Sequence, residues 1–203
     1  MDKRNQPEQF EQDSYLEDPD RASGKNSRET TVRSEIYDWL RCIVTAIVAC
    51  VIIFVFFARI VGVVGSSMVP TLHEGDRIIT SNLFYTPKQG DIVVLRKQSF
   101  DERAIVKRVI ATEGQTVDID FEAGIVYVDG EALTEDYVNA PIHDRIHFEG
   151  EVTVPEGCVF VLGDNRNASS DSRHAKLGCV DERYILGKAY LILLPFKDFG
   201  FLG

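Results

Sequence analysis

The sequence predicts a mostly β fold, a coiled antiparallel barrel-like domain preceded by one N-terminal transmembrane helix. Three observations lead to this prediction. One long apolar run without charged residues lies near the N-terminus, from Cys42 to Ala58. Short runs rich in β-branched residues follow it and are separated by turn residues. After residue 60, the sequence shows no long stretch with the periodicity of an amphipathic helix.

The apolar run is predicted to form a transmembrane anchor over residues 39–60. Arg41 and Arg59 bracket it, and as a helix it is roughly 26 Å long, slightly short of a hydrocarbon core of ~30 Å. Snorkelling of Arg59 closes that gap. A cleavable signal peptide is disfavoured, because the charged leader before the run is too long. A buried core helix fits the length, but the unbroken apolar block from Val48 to Phe57 favours lipid.

The charges around the run predict its orientation. Residues 1–38 are polar, charged and poor in large apolar groups, which predicts a largely disordered tail. The basic residues close before the run are Lys25, Arg28, Arg33 and Arg41. Fewer follow it closely, namely Arg59 and Arg77. The positive-inside rule therefore predicts a single-pass protein of the cell membrane, with a cytoplasmic tail and an extracytoplasmic domain over residues 61–203.

About eight strands are predicted beyond the anchor, and their spacing suits a coiled antiparallel barrel. The runs that carry the signal are Asp76–Thr80, Gly90–Arg96, Ala104–Ala111, Thr116–Asp120, Ile125–Val128, Cys158–Leu162 and Tyr184–Leu194. Asp129 and Gly130 follow one of these runs and predict a two-residue hairpin turn. Residues 134–151 are polar and irregular, so they are predicted to form a surface loop.

Cysteine and histidine are too few and too scattered to define a site. Cys158 and Cys179 lie outside the apolar run. They are either an extracytoplasmic disulfide or two isolated small apolar residues, and the sequence leaves both alternatives open. His143 and His147 have the i, i+4 spacing of metal ligands on a helix. A proline and a glycine flank that stretch and make it a loop, so no metal site is predicted.

Ser67 is a candidate nucleophile in the stretch that directly follows the apolar run, Gly65 to Leu72. A serine hydroxyl is a weak nucleophile and needs a base beside it. The stretch is not a G-x-S-x-G elbow, because Val69 stands where the second glycine would be. Gly65 and Pro70 are predicted to hold the serine in a rigid turn with close backbone approach.

Lys107 is the candidate base. It lies within an apolar, β-branched run, where loss of hydration lowers the pKa of an amine. Strand alternation puts Ile105, Lys107 and Val109 on one face of the predicted strand. The alternative is a solvated lysine on an edge strand beside Arg108, and alternation by itself does not decide between the two.

Four motifs occur in one order along the chain. They are Ser-x-x-Pro-Thr after the apolar run, Gly-Asp-Ile-Val from Gly90, Lys-Arg-Val from Lys107, and Gly-Asp-Asn-Arg with Ser-x-Asp-Ser-Arg between Gly163 and Arg173. In these motifs and their order, the chain resembles bacterial type I signal peptidases, membrane proteases with a Ser-Lys dyad, in their single-anchor, Gram-positive-like form. The resemblance covers the anchor and nearly all of residues 62–194.

The resemblance implies a role for several motif residues. Ser67 is the nucleophile, and Lys107 is the general base. Ser169 orients the lysine, while Asp171 and Arg173 form a structural ion pair beside it. The backbone N–H of Ser67 contributes to the oxyanion hole. No cofactor is implied.

Two positions depart from the pattern of that family. Some members carry a hydroxyl side chain two residues before the nucleophile, where this chain has Gly65. The oxyanion hole is therefore expected to rest on backbone donors. Asn167-Ala168 replaces the common Asp-Asn, which puts a local hydrogen bond in question but leaves the predicted dyad unchanged.

The implied substrate is an exported preprotein with small side chains at the −1 and −3 positions of its signal peptide. The extended segment of the substrate is expected to bind as a strand added to the β domain. Shallow apolar pockets of the enzyme are expected to admit its alanine side chains. The residues implied in binding it are Val63, Gly65, Ser66, Val69, Ala104, Ile105 and Val106. The implied partners are such preproteins, the lipid bilayer and, as a further candidate, the secretion translocon. A net charge of −10 argues against nucleic acid as a partner.

Two other functions are open at this point. A self-cleaving Ser-Lys peptidase of the phage-repressor type has a related fold, but it predicts a soluble DNA-binding domain before the dyad, which residues 1–60 do not resemble. A catalytically silent membrane protein would use the β domain to bind secreted chains. The joint presence of Ser67, Lys107 and Ser169 argues against it. The leading interpretation is a membrane-bound serine endopeptidase that removes signal peptides through an acyl-enzyme.

Overall fold

The computed structural model of the chain describes residues 35–52 and 58–202. It divides into two units, Met1–Val51 and Ile52–Gly203. Residues 35–52 are helical. Within the described ranges, no helix combines the length and the apolar character that a membrane span requires. The predicted tail up to residue 34 and the part of the predicted anchor from 53 to 57 lie outside the described residues.

The first strand corrects the predicted end of the anchor. The sequence predicts a helix to residue 60, but Ala58–Gly62 forms β1 and pairs antiparallel with β2, Arg77–Ser81. Ile60 lies opposite Ile79 in this ladder. Residues with β-branched side chains pack well on a pleated sheet, and the pairing satisfies their backbone groups. The predicted helix therefore ends before residue 58.

Twelve strands occur in the part of the chain that the structure describes. They are β1 (Ala58–Gly62), β2 (Arg77–Ser81), β3 (Ile92–Leu95), β4 (Ile105–Thr112), β5 (Thr116–Asp120), β6 (Ile125–Val128), β7 (Glu131–Ala132), β8 (Val152–Thr153), β9 (Cys158–Leu162), β10 (Val180–Asp181), β11 (Ile185–Leu194) and β12 (Gly200–Phe201). Two short 3₁₀ helices, Glu182–Tyr184 and Phe196–Asp198, flank β11. The strand pairs are antiparallel. The prediction of a mostly β, antiparallel fold is confirmed.

Eight of the strands form one sheet in the order β1-β2-β11-β3-β4-β9-β10, with β12 paired to β11. Bulges interrupt the pairing of β11 and of β4, and bulges bend a strand and increase its twist. The other four strands form a second sheet, β7-β6-β5-β8. The larger sheet has β1 and β10 at its edges, so its strands do not close into a barrel within residues 58–202.

Three predicted strands, β5, β6 and β9, match the structure residue for residue. The turn between β6 and β7 has φ of 52° at Asp129 and 80° at Gly130. Positive φ at both central residues is typical of the type I′ turn of a hairpin. By contrast, β7, β8, β10 and β12 contain two residues each. Such strands are too short to produce an alternation in the sequence, and the sequence did not predict them individually.

Two hydrophobic clusters position the functional segments. One packs Met68 and Leu72, from the stretch after β1, against side chains of β2, β3, β4 and β11. Full burial of a Leu or Met side chain contributes ~1.5–3 kcal/mol, so these two residues hold the stretch in place. A second cluster joins β5 and β6 to β4 and β9 and includes Ile142 and Phe148. The predicted surface loop 134–151 is irregular, but these two side chains anchor it in the core.

Candidate active site

Ser67 and Lys107 are in direct contact. Lys107 Nζ donates a hydrogen bond to Ser67 Oγ at 2.7 Å and another to the Val106 carbonyl at 2.9 Å. Lys107 lies on β4 and is only 3% exposed. The alternative of a solvated lysine on an edge strand is therefore wrong. A buried amine that touches a serine hydroxyl has the geometry of a base beside its nucleophile.

Hydrogen bonds and burial fix the chain on either side of Ser67. Before the serine, the Val63 N–H donates to the Asp76 carbonyl at 2.8 Å. The Val63 carbonyl in turn accepts from the Gly75 N–H at 3.0 Å. After the serine, the side chain of Met68 is buried in the core. The hydroxyl is thereby held where it faces the lysine.

Glycine is favoured at two positions near the dyad, Gly65 and Gly163, for different physical reasons. Gly65 has a φ of +85°, a conformation that favours glycine, but a Cβ there would meet no atom within 4 Å. The predicted close backbone approach at Gly65 is therefore wrong. It occurs at Gly163 instead, where a Cβ would lie 2.2 Å from Ser169 Oγ and 2.5 Å from the Ser67 carbonyl oxygen. Gly163 is packed against both serines.

Burial determines the basicity of Lys107. Loss of hydration is the largest effect and lowers the pKa of Lys107 from 10.5 to about 8. The carboxylates of Asp171 and Asp164 act in the opposite direction, whereas the guanidinium of Arg173 lowers the pKa further. An amine with this pKa is largely neutral at mildly alkaline pH, as a general base must be.

A buried ion pair joins all four sequence motifs. Arg108 donates from Nε and Nη2 to the two carboxylate oxygens of Asp164, at 2.8 and 2.6 Å. Thr71 Oγ1 donates to the same carboxylate, and Arg108 Nη1 donates to the Gly90 carbonyl at 2.9 Å. The side chains of Arg108 and Asp164 are 7% and 0% exposed. The stretch after β1, the strand that carries Lys107 and the segment 163–173 are thus held together.

The implied ion pair of Asp171 and Arg173 is present and fully buried. Arg173 Nε donates to Asp171 Oδ1 at 2.8 Å, and neither side chain is exposed. Asp171 Oδ2 also accepts from the Gly163 N–H at 3.1 Å, while Arg173 Nη2 donates to the Arg166 carbonyl at 2.6 Å. The pair therefore shapes the backbone of the segment that contains Ser169.

Ser169 lies in this segment without a hydrogen bond to Lys107. Its Oγ is buried and has no hydrogen-bond partner among the described residues. Lys107 Nζ donates instead to the Val106 carbonyl. The implied role of Ser169, to orient the lysine, therefore stays a prediction.

Residues of the 134–151 loop hold the same segment, and the sequence did not indicate them. Glu135 binds Arg166 through both carboxylate oxygens, and the ion pair is largely buried. Asn167 Oδ1 accepts from the His143 N–H at 2.9 Å, and Asn167 Nδ2 donates to the Pro141 carbonyl at 2.8 Å. Asn167 therefore provides local hydrogen bonds of its own. These partners are 24 to 31 residues apart, and such a separation leaves no periodic signal in a sequence.

A cavity of about 360 Å³ lies beside the dyad, and both Ser67 and Lys107 line it. Of the residues implied in substrate binding, the structure brings five to the cavity: Val63, Gly65, Ala104, Ile105 and Val106. Ser66 and Val69 do not line it. Three charged residues that the sequence did not indicate also line it: Glu74, Asp101 and Arg103.

One edge of β4 is unpaired beside this cavity. On one side of the strand, Ile105 to Arg108 pair with β3. On the other side, pairing with β9 begins only at Arg108, which lies opposite Leu162. Residues 104–107 therefore have no strand partner on that side within the described residues. An extended peptide can add to such an edge through main-chain hydrogen bonds.

The backbone N–H of Ser67 is available as a donor, since it has no acceptor within residues 35–52 and 58–202. The Ser67 carbonyl accepts from the Asn165 N–H at 3.0 Å. Asn165 Nδ2 donates to the Ser66 carbonyl at 3.1 Å. Asn165 thereby fixes the peptide units around the serine. A fixed backbone N–H of this kind stabilises an oxyanion.

Histidine and cysteine form no further site in the described ranges, which contain no group of three or more potential metal-binding side chains. His143 Nδ1 lies 2.8 Å from the Phe121 carbonyl, and His147 packs edge-on against another histidine. Cys158 and Cys179 are free thiols that are partly buried against a hydrophobic cluster. The two thiols lie near each other, since Cys158 adds to the effect of burial in raising the pKa of Cys179, so the disulfide and the two small apolar residues stay alternatives.

Comparison with known families covers most of the chain. The family described as signal peptidase, peptidase S26, matches residues 36–194. This range contains the dyad, the cavity and the segment 163–173. The chain belongs to the signal peptidase family. The resemblance seen in the four motifs is confirmed, and membership of this family makes the chain a peptidase, which argues against a catalytically silent binding protein.

Individual members of the signal peptidase family show the extent of the similarity. A probable signal peptidase I-1 of Synechocystis sp. is 37% identical over 79% of this chain and 84% of its own length. A signal peptidase I of Bacillus licheniformis is 32% identical over 84% of this chain and 95% of its own length. The crystal structure of a signal peptidase I from Enterococcus faecalis is 30% identical, with a TM-score of 0.42, and covers 51% of this chain and 97% of its own.

Proposed function

We propose that this chain is a membrane-bound serine endopeptidase that removes N-terminal signal peptides from exported preproteins through a dyad of Ser67 and Lys107. The observation that carries the proposal is the 2.7 Å hydrogen bond from Lys107 Nζ to Ser67 Oγ. Two further facts support it. Burial lowers the pKa of Lys107 to about 8, and the relatives of the chain are named signal peptidase I.

In the acylation step, Lys107 accepts the hydroxyl proton of Ser67 while Oγ attacks the carbonyl carbon of the scissile peptide bond. The carbonyl oxygen becomes an oxyanion, to which the Ser67 N–H donates. When the C–N bond breaks, Lys107 passes the proton to the leaving amine. The mature protein departs with a free N-terminus, and the signal peptide stays bound to Oγ as an ester.

In the deacylation step, Lys107 acts as a base a second time. It accepts a proton from a water molecule whose oxygen attacks the ester carbonyl. The second tetrahedral intermediate collapses with cleavage of the bond to Ser67 Oγ, and Lys107 returns the proton to that oxygen. The signal peptide leaves with a carboxyl terminus. The cycle needs only water and no cofactor.

Ser169 is proposed to orient Lys107 during these steps. Its Oγ is buried without a partner among the described residues, and an unsatisfied buried hydroxyl costs ~1–3 kcal/mol. A hydrogen bond with Lys107 Nζ would remove that cost. Asp171 and Arg173 are proposed to support the arrangement, because their buried ion pair holds the Gly163 N–H.

The substrate is proposed to bind as an added strand along the unpaired edge of β4, with residues 63–65 on its other side. The cavity at this edge measures about 360 Å³, and a strand placed there would bring its scissile carbonyl to Ser67. The substrate is proposed to carry small side chains at −1 and −3, as the family resemblance implies. Val63, Ala104, Ile105 and Val106 supply the apolar walls.

The apolar run is proposed to anchor the protein in the cell membrane. Its uncharged part from Cys42 to Phe57 precedes β1, which begins at Ala58. The basic residues before it favour a cytoplasmic N-terminus, with the β domain on the extracytoplasmic side. The lipid bilayer is then an obligatory partner, and the secretion translocon is a candidate partner that delivers the preprotein.

Cleavage of a preprotein tests the proposal. The full-length protein in detergent is expected to cut a signal-peptide-bearing preprotein after a small residue. Ser67→Ala and Lys107→Met are both expected to abolish cleavage, because each removes one member of the dyad. Circular dichroism and the unfolding midpoint establish that each variant is folded.

Matched controls come from exposed residues of the same types. Ser99 and Lys176 are exposed and lie outside the cavity, so Ser99→Ala and Lys176→Met are expected to cleave like the wild type. Turnover that persists in a folded Ser67→Ala or Lys107→Met variant would reject the dyad. A folded wild type that cuts no preprotein would reject the proposed function itself.

A further inference from the structure

We propose that Glu74 makes the enzyme prefer a positively charged side chain four to five residues before the cleaved bond. This inference rests on the proposed function, because it assigns the cavity beside the dyad to the signal peptide. It concerns the charged end of the cavity, which lies outside the apolar pockets proposed for the −1 and −3 side chains.

The cavity is bounded by two stretches of chain that lead in the same direction to the dyad. One runs from Gly62 to Ser67, and the other runs from Asp101 to Lys107. Their ends meet in the 2.7 Å contact of the dyad. The beginnings of both stretches therefore lie at the far end of the cavity, away from the reacting atoms.

Charged residues line this far end. Asp101 and Arg103 belong to the beginning of the second stretch. Glu74 also lines the cavity, and it lies within the turn from His73 to Asp76, which is hydrogen-bonded to Val63 of the first stretch. The walls nearer the dyad are apolar or glycine, as at Gly65 and Val106. The cavity thus changes from apolar to charged with increasing distance from Ser67.

The backbone of Glu74 is held firmly, although its side chain is exposed. The neighbouring Gly75 N–H donates to the Val63 carbonyl at 3.0 Å. The His73 N–H donates to a carboxylate oxygen of the buried Asp76 at 2.8 Å. Because the turn is bonded on both sides of Glu74, the carboxylate has a fixed origin next to Val63, at the wall of the cavity.

One carboxylate at the far end, that of Glu74, is not engaged in an ion pair in the described part of the chain, although Arg77 and Lys197 line a neighbouring cavity with it. Asp101 accepts from the backbone N–H and the Nε of Arg103, so these two charges offset each other. Glu74 forms no ion pair with a cation of the described residues. A substrate side chain that reaches this end therefore meets a carboxylate that is free to pair.

Strand geometry gives the position of that side chain. On the β4 side, Lys107 lies at the level of the cut and Ala104 lies three residues before it, so at ~3.3 Å per residue the charged end of the cavity, which begins before Ala104, is roughly 10 Å or more from the dyad. A substrate strand along this edge reaches that end at its fourth or fifth residue before the cut. A lysine or arginine there extends its charge toward Glu74, whereas a glutamate is repelled.

The expected size of this charge preference follows from the exposure of the Glu74 side chain. Ion pairs between exposed side chains are weak and are screened by salt. We expect kcat/KM to be about two- to fivefold higher for lysine than for glutamine at the −5 position at low ionic strength. The preference is expected to shrink as the salt concentration rises above ~0.15 M.

The experiment uses the full-length protein in detergent and three preproteins that differ only in lysine, glutamine or glutamate at −5. Glu74→Gln is expected to abolish the difference between them, and Glu74→Lys is expected to reverse it. Glu122→Gln is the matched control, because Glu122 is exposed, lies outside the cavity and changes the net charge equally. It is expected to keep the wild-type preference.

The outcomes distinguish a failure of the role of Glu74 from a failure of the proposed function. If the wild type and Glu74→Gln rank the three preproteins identically, the role of Glu74 is rejected while the proposed function stands. If Glu122→Gln loses the preference as well, the effect comes from net charge, and the role of Glu74 is again rejected. If the folded wild type cuts none of the three, both proposals are rejected.

Discussion

Arg108 and Asp164 form a bidentate ion pair, although they are 56 residues apart in the sequence. Arg108 directly follows Lys107 on β4, and Asp164 directly follows Gly163, which packs against Ser67 and Ser169. A single buried contact thereby sets the distance between the strand that carries the lysine and the segment that backs the serine.

Asp164→Asn is expected to destabilise the fold strongly. It leaves the buried guanidinium of Arg108 without its anion, and breaking a buried ion pair in this way costs roughly 3–5 kcal/mol. Urea unfolding monitored by circular dichroism measures the change. Asp181→Asn is the matched control, because its ion pair with Arg183 lies at the surface, and no measurable loss is expected there. Equal unfolding midpoints for Asp164→Asn and the wild type would contradict the structural role of the pair.

The pH dependence of cleavage is expected to follow the neutral form of Lys107. Loss of hydration lowers the pKa of this amine to about 8, so the active fraction grows as the pH rises through that value. The kcat/KM of the wild type is therefore expected to rise from pH 6 through pH 8 and to level off above about pH 9. Steady-state kinetics over pH 5–10 measure it. A kcat/KM that is highest at pH 5 would exclude Lys107 as the base.

Lys107→Met is expected to stabilise the protein at neutral pH. The pKa of Lys107 is lower in the folded chain, about 8, than its ordinary value of 10.5. Between these values the unfolded chain binds more protons, so the stability of the wild type rises with pH across this window. The stability of the wild type minus that of the variant is expected to increase by about 3 kcal/mol between pH 7 and pH 11.

Chemical unfolding at a series of pH values measures that difference, and groups that titrate in both proteins cancel in it. Lys176→Met serves as the control, because Lys176 is exposed and its replacement is expected to leave the difference from the wild type independent of pH. A constant difference for Lys107→Met as well would show that the amine is not desolvated in the folded protein.

Gly163→Ala is expected to impair catalysis more than stability. The added Cβ would lie 2.2 Å from Ser169 Oγ and 2.5 Å from the Ser67 carbonyl oxygen, so both serines must shift. Overpacking of this kind costs typically ~1–3 kcal/mol in stability, while a displaced nucleophile is expected to lower kcat about 100-fold. Turnover and the unfolding midpoint are measured together. Gly200→Ala is the control, since its nearest contact is 3.9 Å away, and wild-type turnover is expected.

Local patterns in the sequence were sufficient to predict many strands of the β domain. β5, β6 and β9 alternate in side-chain character and are bounded by turn residues, and these are signals that a single strand carries by itself. The predicted helix to residue 60 was wrong because hydropathy does not distinguish the end of an apolar helix from an apolar strand. Only pairing with β2 makes Ala58–Gly62 a strand.

The order of the motifs along the chain is enough to indicate the family and to mark Ser67 and Lys107 as candidates. The tertiary structure decided that the amine is buried and touches the hydroxyl, because desolvation depends on every element packed around a side chain. It also brought Glu135 and Glu74 to the site, through contacts that connect distant parts of the chain. Periodicity reports only which face of one element is apolar, whereas a site is made where several elements meet.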